Sequence, residues 1–274
     1  MKYVARTPRD DVNVSKEHPL VEAGTLVFGL GLLFATVVVV LILLVDLVLY
    51  FVPAEREVAL FSSWLPEDIV TIGVDDPRLA TVEQLSERLA EHWPDTTYTF
   101  RVEVDDNDVA NAFALPGGLI VVTTGLLDEV ESENELAFVL AHELGHFRNR
   151  DHIRGLGRGV AIGILVTAVS GGKLGDGLGA TIAGAALTSF SRRQEQSADE
   201  FALELVQREY GHVADAWRFF ARRRDRQSDL LSGIAGYMST HPAPYDRIEH
   251  LKKTAAENAW TLTGETRPIG WATP

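Results

Sequence analysis

The segment Leu26–Val52, LVFGLGLLFATVVVVLILLVDLVLYFV, is strongly apolar and contains one charge, Asp46. As a helix it spans a bilayer, since about 20 apolar residues cross a hydrocarbon core of about 30 Å. A secretory leader has a shorter apolar run and a small-residue cleavage site after it, which is not evident here. A membrane anchor is therefore expected at 26–52, with a tail at 1–25 before it. Lys2, Arg6, Arg9 and Lys16 precede the run, and Arg56 alone follows closely. The positive-inside rule then puts the tail in the cytoplasm and the bulk of the chain outside it. In a Gram-negative cell that is a single-pass inner-membrane protein with its folded part in the periplasm. Asp46 is expected to pair within a bundle or to sit near the interface.

Residues 53–258 read as one domain and 259–274 as a C-terminal tail. Leu79, Val82, Leu85 and Leu89 recur at helical spacing, while Tyr98, Phe100, Val102 and Val104 alternate as a strand with one buried face. Two apolar stretches flank Pro116-Gly117-Gly118, a turn signal. Asp105–Val109, DDNDV, lacks the spacing and terminal glutamate of an EF-hand loop and reads as a polar turn. Gly159–Phe190 has two apolar arms around GGKLGDGLG, each too short to cross a bilayer as a straight helix. A helical hairpin packed on the active-site helices is expected there; a dip into the membrane surface is the alternative. Val213–Arg224 carries Trp217 and Phe220 on an apolar side, with Arg222–Arg224 expected to be solvated or paired to acids. Pro242 and Pro244 stiffen the segment after His241, and Arg247–Glu257 reads as a last helix. Thr261–Pro274 has no periodicity and is expected to be loosely held, apart from Trp260 and Trp271. The fold class is mainly α, with a small sheet (α+β).

VLAHELGHFRNRDH, Val139–His152, carries the chemistry. On a helix, His142 and His146 lie one turn apart on one face and can grip one cation. Glu143 is placed to act as general base on a water there. Ser132 and Glu135 form a capping-box signature, and Leu136, Val139, Leu140 and Leu144 follow at helical spacing. Catalytic zinc takes three protein ligands and leaves one position open. His152 lies where the metzincin pattern puts its third histidine, with Asn149 at the glycine position and Met238 as a possible Met-turn residue. Alternatively Glu195, in SRRQEQSADEFAL, completes a two-histidine, one-glutamate site. Asp199, one turn further on, is placed to orient a ligand histidine through its other ring nitrogen.

HELGH, SRRQEQSAD and STHPAPYDRI, in that order, resemble peptidase family 48 of the metallopeptidases, which includes HtpX-like, Oma-type and CAAX prenyl proteases. NAFALPGGLIVVTTGLL, Asn111–Leu127, resembles the segment that the family carries before its metal helix. The resemblance covers about Pro77–Leu251. It implies a zincin-like helical protease domain with its sheet beside the cleft and one zinc per chain. The implied ligands are His142, His146 and Glu195, with Glu143 as base and Asp199 behind the ligands. His241 would approach the open side of the zinc, to stabilise the oxyanion or to occupy the fourth position at rest, with Arg247 holding that loop or the site. His152 would then be an ordinary polar residue beyond the helix end. Asn111, Ala112, Phe113, Ala114, Pro116, Gly117 and Gly118 would supply a strand edge to which a peptide adds through its backbone. The implied substrates are polypeptides, in particular misfolded or unassembled membrane and envelope proteins.

A net charge of −14 argues against nucleic-acid binding, and the absence of cysteine excludes disulfides and thiolate ligands. Two other classes fit less well: a catalytically silent scaffold of the same fold, against which Glu143 and the complete ligand set argue, and a metzincin-type protease using His152.

Overall fold

The computed structural model describes residues 18–64, 74–170, 190–227, 241 and 244–271. Helix α1, Pro19–Phe51, starts before the apolar run because His18 caps it and Pro19 occupies its first turn. The helix is long and apolar enough to cross a membrane, and none of its residues is buried in the protein. Helix α2, Ala54–Trp64, follows after a short break, and α3, Leu79–Glu91, buries Val82, Leu85 and Leu89.

Strands β1 (Arg101–Asp105), β2 (Ala112–Leu115) and β3 (Leu119–Thr123) form one sheet in the order β1-β3-β2. β2 and β3 are the expected hairpin, joined through Gly117 and Gly118, both at φ 88. A Cβ on Gly118 would lie 2.5 Å from the Thr99 carbonyl, so glycine serves both the backbone angle and the close approach there. β1 pairs parallel to β3 on the other side, which leaves β2 at an edge. Thr123 N–H donates to the Asn111 carbonyl, so Phe113 and Leu115 continue the paired positions. Ala112 and Ala114 turn their backbone groups away from β3. DDNDV is a polar turn in which Asn107 accepts the Val109 amide.

Helix α4, Thr124–Glu129, leads into α5, Glu133–Asn149. α5 is buried from Asn134 through Phe147, on every side rather than along one stripe. Ser132 caps it as expected, but the Glu135 carboxylate returns to the Glu131 amide and to Arg222, not to the cap. The complete capping box belongs to Ser191 and Gln194 at the start of α7, Arg192–Tyr210. Gly145 lets α5 and α7 touch: a Cβ there would lie 2.7 Å from Ala198 Cα and 2.9 Å from its carbonyl oxygen. Gly145→Val should therefore destabilise the domain by about 3 kcal/mol, the upper end of ordinary overpacking. A thermal midpoint equal to that of the unmodified chain would disprove this close crossing.

Helix α6, Asp151–Ser170, contains the first arm of the expected hairpin, and it packs chiefly along α1 rather than against the active-site helices. Arg158 Nη2 reaches both oxygens of Asp46, at 2.8 and 2.7 Å. The second arm, 171–189, and Met238 lie outside the described residues, as does the tail up to residue 17. α8 (Arg218–Gln227) and α9 (Pro244–Glu257) complete the helical side. Arg222 and Arg223 pair with Glu135 and Glu129, so these two residues of the arginine run are acid-paired. The C-terminal segment is held more firmly than its lack of periodicity suggests. Arg267 N–H donates to Asn134, Arg267 O accepts from the Glu133 amide, and Thr81 bonds the Gly270 carbonyl.

Candidate metal centre

α5 and α7 supply most of the site. His142, Glu143, His146, Glu195, Asp199 and His241 are all buried. Each ligand-type histidine on α5 has its Nδ1 against a carboxylate: His142 faces Asp199 Oδ1 at 2.9 Å, and His146 faces Asp151 Oδ2 at 3.0 Å. Those contacts place the ring protons on Nδ1 and leave both Nε2 atoms as lone pairs. The two Nε2 atoms nevertheless lie 3.1 Å apart. Two lone pairs facing each other in a buried site repel, and the conflict ends when a proton sits on one of them, as the raised basicity of His146 provides, or when a metal ion lies between them.

The other donors close the figure. His241 Nδ1 is 3.1 Å from His142 Nε2, 3.4 Å from His146 Nε2 and 3.1 Å from Glu195 Oε1. Glu195 Oε1 is 3.6 Å from His146 Nε2, and Oε2 is 3.5 Å from His142 Nε2. These separations match the edges of a tetrahedron, about 3.3 Å for metal–ligand bonds of about 2.0 Å. Histidine, histidine, glutamate and histidine are thus a donor set that fits a divalent ion of the zinc type.

The electrostatics agree. Burial presses the His241 ring down to about 3, although Glu195 opposes it, so it stays neutral and offers a lone pair. Burial also disfavours charge on His146, but Asp151 and Glu195 overturn that and raise it to about 10. Burial opposes charge on Glu195 and Asp199 too, but the Arg247 guanidinium and the hydrogen bonds from the facing side chains outweigh it, so both stay ionised. A pocket that draws a proton onto a buried imidazole in this way is one that attracts a cation. Burial raises Glu143 to about 7. Neither Glu143 oxygen has a hydrogen-bond partner, and the nearer is 3.6 Å from His241 Nε2. This carboxylate is available to a water.

Arg247 holds the far side. It binds Asp199 through Nε at 2.8 Å and Nη2 at 2.6 Å, Glu195 Oε2 through Nη1 at 2.7 Å, and reaches the His241 carbonyl at 3.5 Å. His152 is not among these groups. It is buried at the start of α6, with Nε2 2.5 Å from Glu57 Oε1, so it is neither a candidate ligand nor an ordinary polar residue beyond the helix end. Asn111, Ala112, Phe113 and Ala114 lie along the β2 edge, which packs against α5; Pro116, Gly117 and Gly118 form the turn beyond it.

Sequence reasoning missed two residues here. Asp151 stands only five positions after His146, and Gln194 Nε2 donates to its other oxygen at 2.7 Å. Its proximity in sequence was the available signal; the chain reversal that brings it back was not. Phe190 stacks on His146 with ring centres 4.0 Å apart, and nothing in its local sequence marks it.

The model of Peptidase family M48 matches residues 78–255. The chain is 32% identical over 193 residues to the beta-barrel assembly-enhancing protease of Yersinia pestis, covering 66% of this chain and 40% of that protein. Its counterpart in Escherichia coli K12 is 29% identical over 195 residues, again 66% and 40% of the two chains. The mitochondrial metalloendopeptidase OMA1 of Danio rerio is 29% identical over 205 residues, 68% and 42%. The chain therefore spans about two fifths of the length of the relatives it matches. With the family model covering well over half of it, this chain belongs to peptidase family M48, among relatives named as proteases and metalloendopeptidases.

Proposed function

We propose that this chain is a membrane-anchored zinc endopeptidase, with α1 as its anchor and the catalytic part outside the cytoplasm. The observation that carries the reading is the convergence of two imidazole lone pairs, a third imidazole and a buried carboxylate, with the unpartnered Glu143 beside them. His142, His146 and Glu195 hold the zinc. Bound there, zinc supplies Lewis acidity that makes water a competent nucleophile near neutral pH and polarises the scissile carbonyl. Glu143 takes the proton of the attacking water and hands it to the leaving nitrogen. Asp199 and Asp151 keep the His142 and His146 rings aimed, and Arg247 fixes Asp199 against Glu195. The peptide adds to β2, on the side where Ala114 turns its backbone groups away from β3 and no other strand pairs among the described residues. Recognition through the backbone reads shape rather than sequence, which suits damaged or unassembled membrane and envelope proteins as substrates. The relatives' names, a beta-barrel assembly-enhancing protease and a mitochondrial metalloendopeptidase, support that task.

The purified full-length chain should carry about one zinc and cleave casein; a chelator should abolish cleavage and added zinc restore it. Cleavage that persists after the zinc is stripped would refute the reading. His241 would fill the fourth position of a bound zinc and keep water from it. His241→Ala should therefore keep the zinc and raise basal casein cleavage severalfold. A fall in cleavage with zinc intact would instead make His241 an oxyanion donor.

A further inference from the structure

Arg150, Asp151 and His152 follow α5 in succession and face three ways. Asp151 faces the ligand-type His146 at 3.0 Å. His152 reaches Glu57 on α2 at 2.5 Å. Arg150 reaches α1: its Nη1 donates to the carbonyls of Leu49 at 3.0 Å and Val52 at 2.5 Å, and its Nε to Glu57 Oε2 at 3.0 Å. The Leu49 carbonyl belongs to the last turn of α1 and has no partner within its helix. The same Glu57 oxygen accepts the Tyr98 hydroxyl at 3.0 Å. Beyond this knot α6 runs back along α1, with Gly157 beside Val45 and Arg158 on Asp46.

Arg150 is an unexpected residue for its place. It ends α5 in the left-handed conformation, at φ 57, where glycine or asparagine is the usual choice. Ending the helix does not require an arginine; the bonds to α1 and Glu57 do. We propose that Arg150 is a positioning residue that latches the turn carrying Asp151 to the end of α1, so that the aim of His146 depends on the seating of the apolar helix. The inference rests on His146 being a metal ligand. Each link from α1 to the site is one hydrogen bond or one peptide unit: the α1 carbonyls, Arg150, Asp151, His146. When α1 shifts from its seat, the turn is freed and Asp151 loses its register on the imidazole. Hydrolysis is thereby tied to correct docking of the anchor.

The full-length chain in detergent micelles tests this through zinc retention against a competing chelator and kcat/KM on casein. Arg150→Gly keeps a good helix end and removes the latch. A residue that merely ends the helix would tolerate it. The expected result is about a tenfold loss of zinc retention with a matching fall in kcat/KM, the lower end for groups behind metal ligands. A second variant set adds Val45→Cys and Gly157→Cys. A Cβ on Gly157 lies 3.9 Å from Val45 Cβ, within disulfide range, and the chain has no other cysteine. In the Arg150→Gly background, oxidation should restore both readouts and a reductant reverse them. If Arg150→Gly does not fold, Arg150→Lys, which lacks the planar fork, must show the same loss and rescue. Readouts equal to the unmodified chain, or a disulfide that forms without recovery, would overturn the latch. An unmodified chain without zinc would overturn the metal reading, and the latch with it.

Discussion

Glu143→Gln is expected to abolish casein cleavage while the zinc content of the chain stays unchanged. The side chain is fully buried and flanked by the candidate metal donors, yet neither of its oxygens has a hydrogen-bond partner. Burying a carboxylate without a partner costs free energy, and native structures keep such groups where chemistry uses them. Burial lifts Glu143 to about 7, so its carboxylate takes a proton more readily than an exposed glutamate does. Glutamine keeps the shape and removes the base. General-base catalysis contributes about 10²–10⁴, and Glu143 serves both in taking the water's proton and in protonating the leaving nitrogen, so the loss should fall near the top of that range. The measurement is metal analysis alongside cleavage on the same preparation. Undiminished turnover would remove Glu143 from the mechanism. Loss of zinc together with turnover would move it into the ligand set. A chain with zinc that cleaves nothing even before substitution would favour the silent scaffold.

The parts of the site that were legible in the sequence are those set by short spacing. His142, Glu143 and His146 follow from one helical turn, and that helix forms where the Ser132 cap and the apolar residues put it. Glu195 and Asp199 are also one turn apart, but their relation to α5 is non-local. It depends on Gly145 admitting Ala198, and only the resemblance to a known family favoured Glu195 over His152. Asp151 stayed hidden because the left-handed residue that returns it to His146 is Arg150, a residue type that rarely marks such a turn. Glu57 and Asp46 were hidden differently. In a chain with 39 acidic residues, a carboxylate destined for burial looks like its solvated neighbours. The parallel pairing of β1 with β3 was equally out of reach, whereas the β2–β3 hairpin announced itself through Pro116-Gly117-Gly118. The apolar arm within α6 was visible, but its partner was not, since packing on α1 rests on Gly157 and the Arg158–Asp46 pair rather than on a periodic pattern.

Glu195→Ala and His152→Ala should separate the two zinc sites that the sequence allows. Glu195 lies 3.1 to 3.6 Å from three imidazole nitrogens, and its Oε2, which faces His142, is also held by Arg247 at 2.7 Å. Removing it takes away the only candidate ligand that carries a negative charge. It also leaves the Arg247 cation facing the imidazoles with Asp199 alone to balance it. The affinity loss should exceed the roughly 10- to 100-fold seen when groups behind ligands are removed, so the variant should lose its zinc to a chelator that leaves the unmodified chain loaded. His152→Ala acts elsewhere. It strips Glu57 of its shortest contact and opens space beside Phe147, whose ring centre is 4.5 Å away. An under-bonded buried carboxylate costs about 1–3 kcal/mol, so thermal stability should fall while zinc and cleavage persist. Zinc kept in Glu195→Ala and lost in His152→Ala would reverse the assignment. Because the His152 ring is turned toward Glu57, that outcome would also require α6 to unwind at its first turn before the ring could reach the metal.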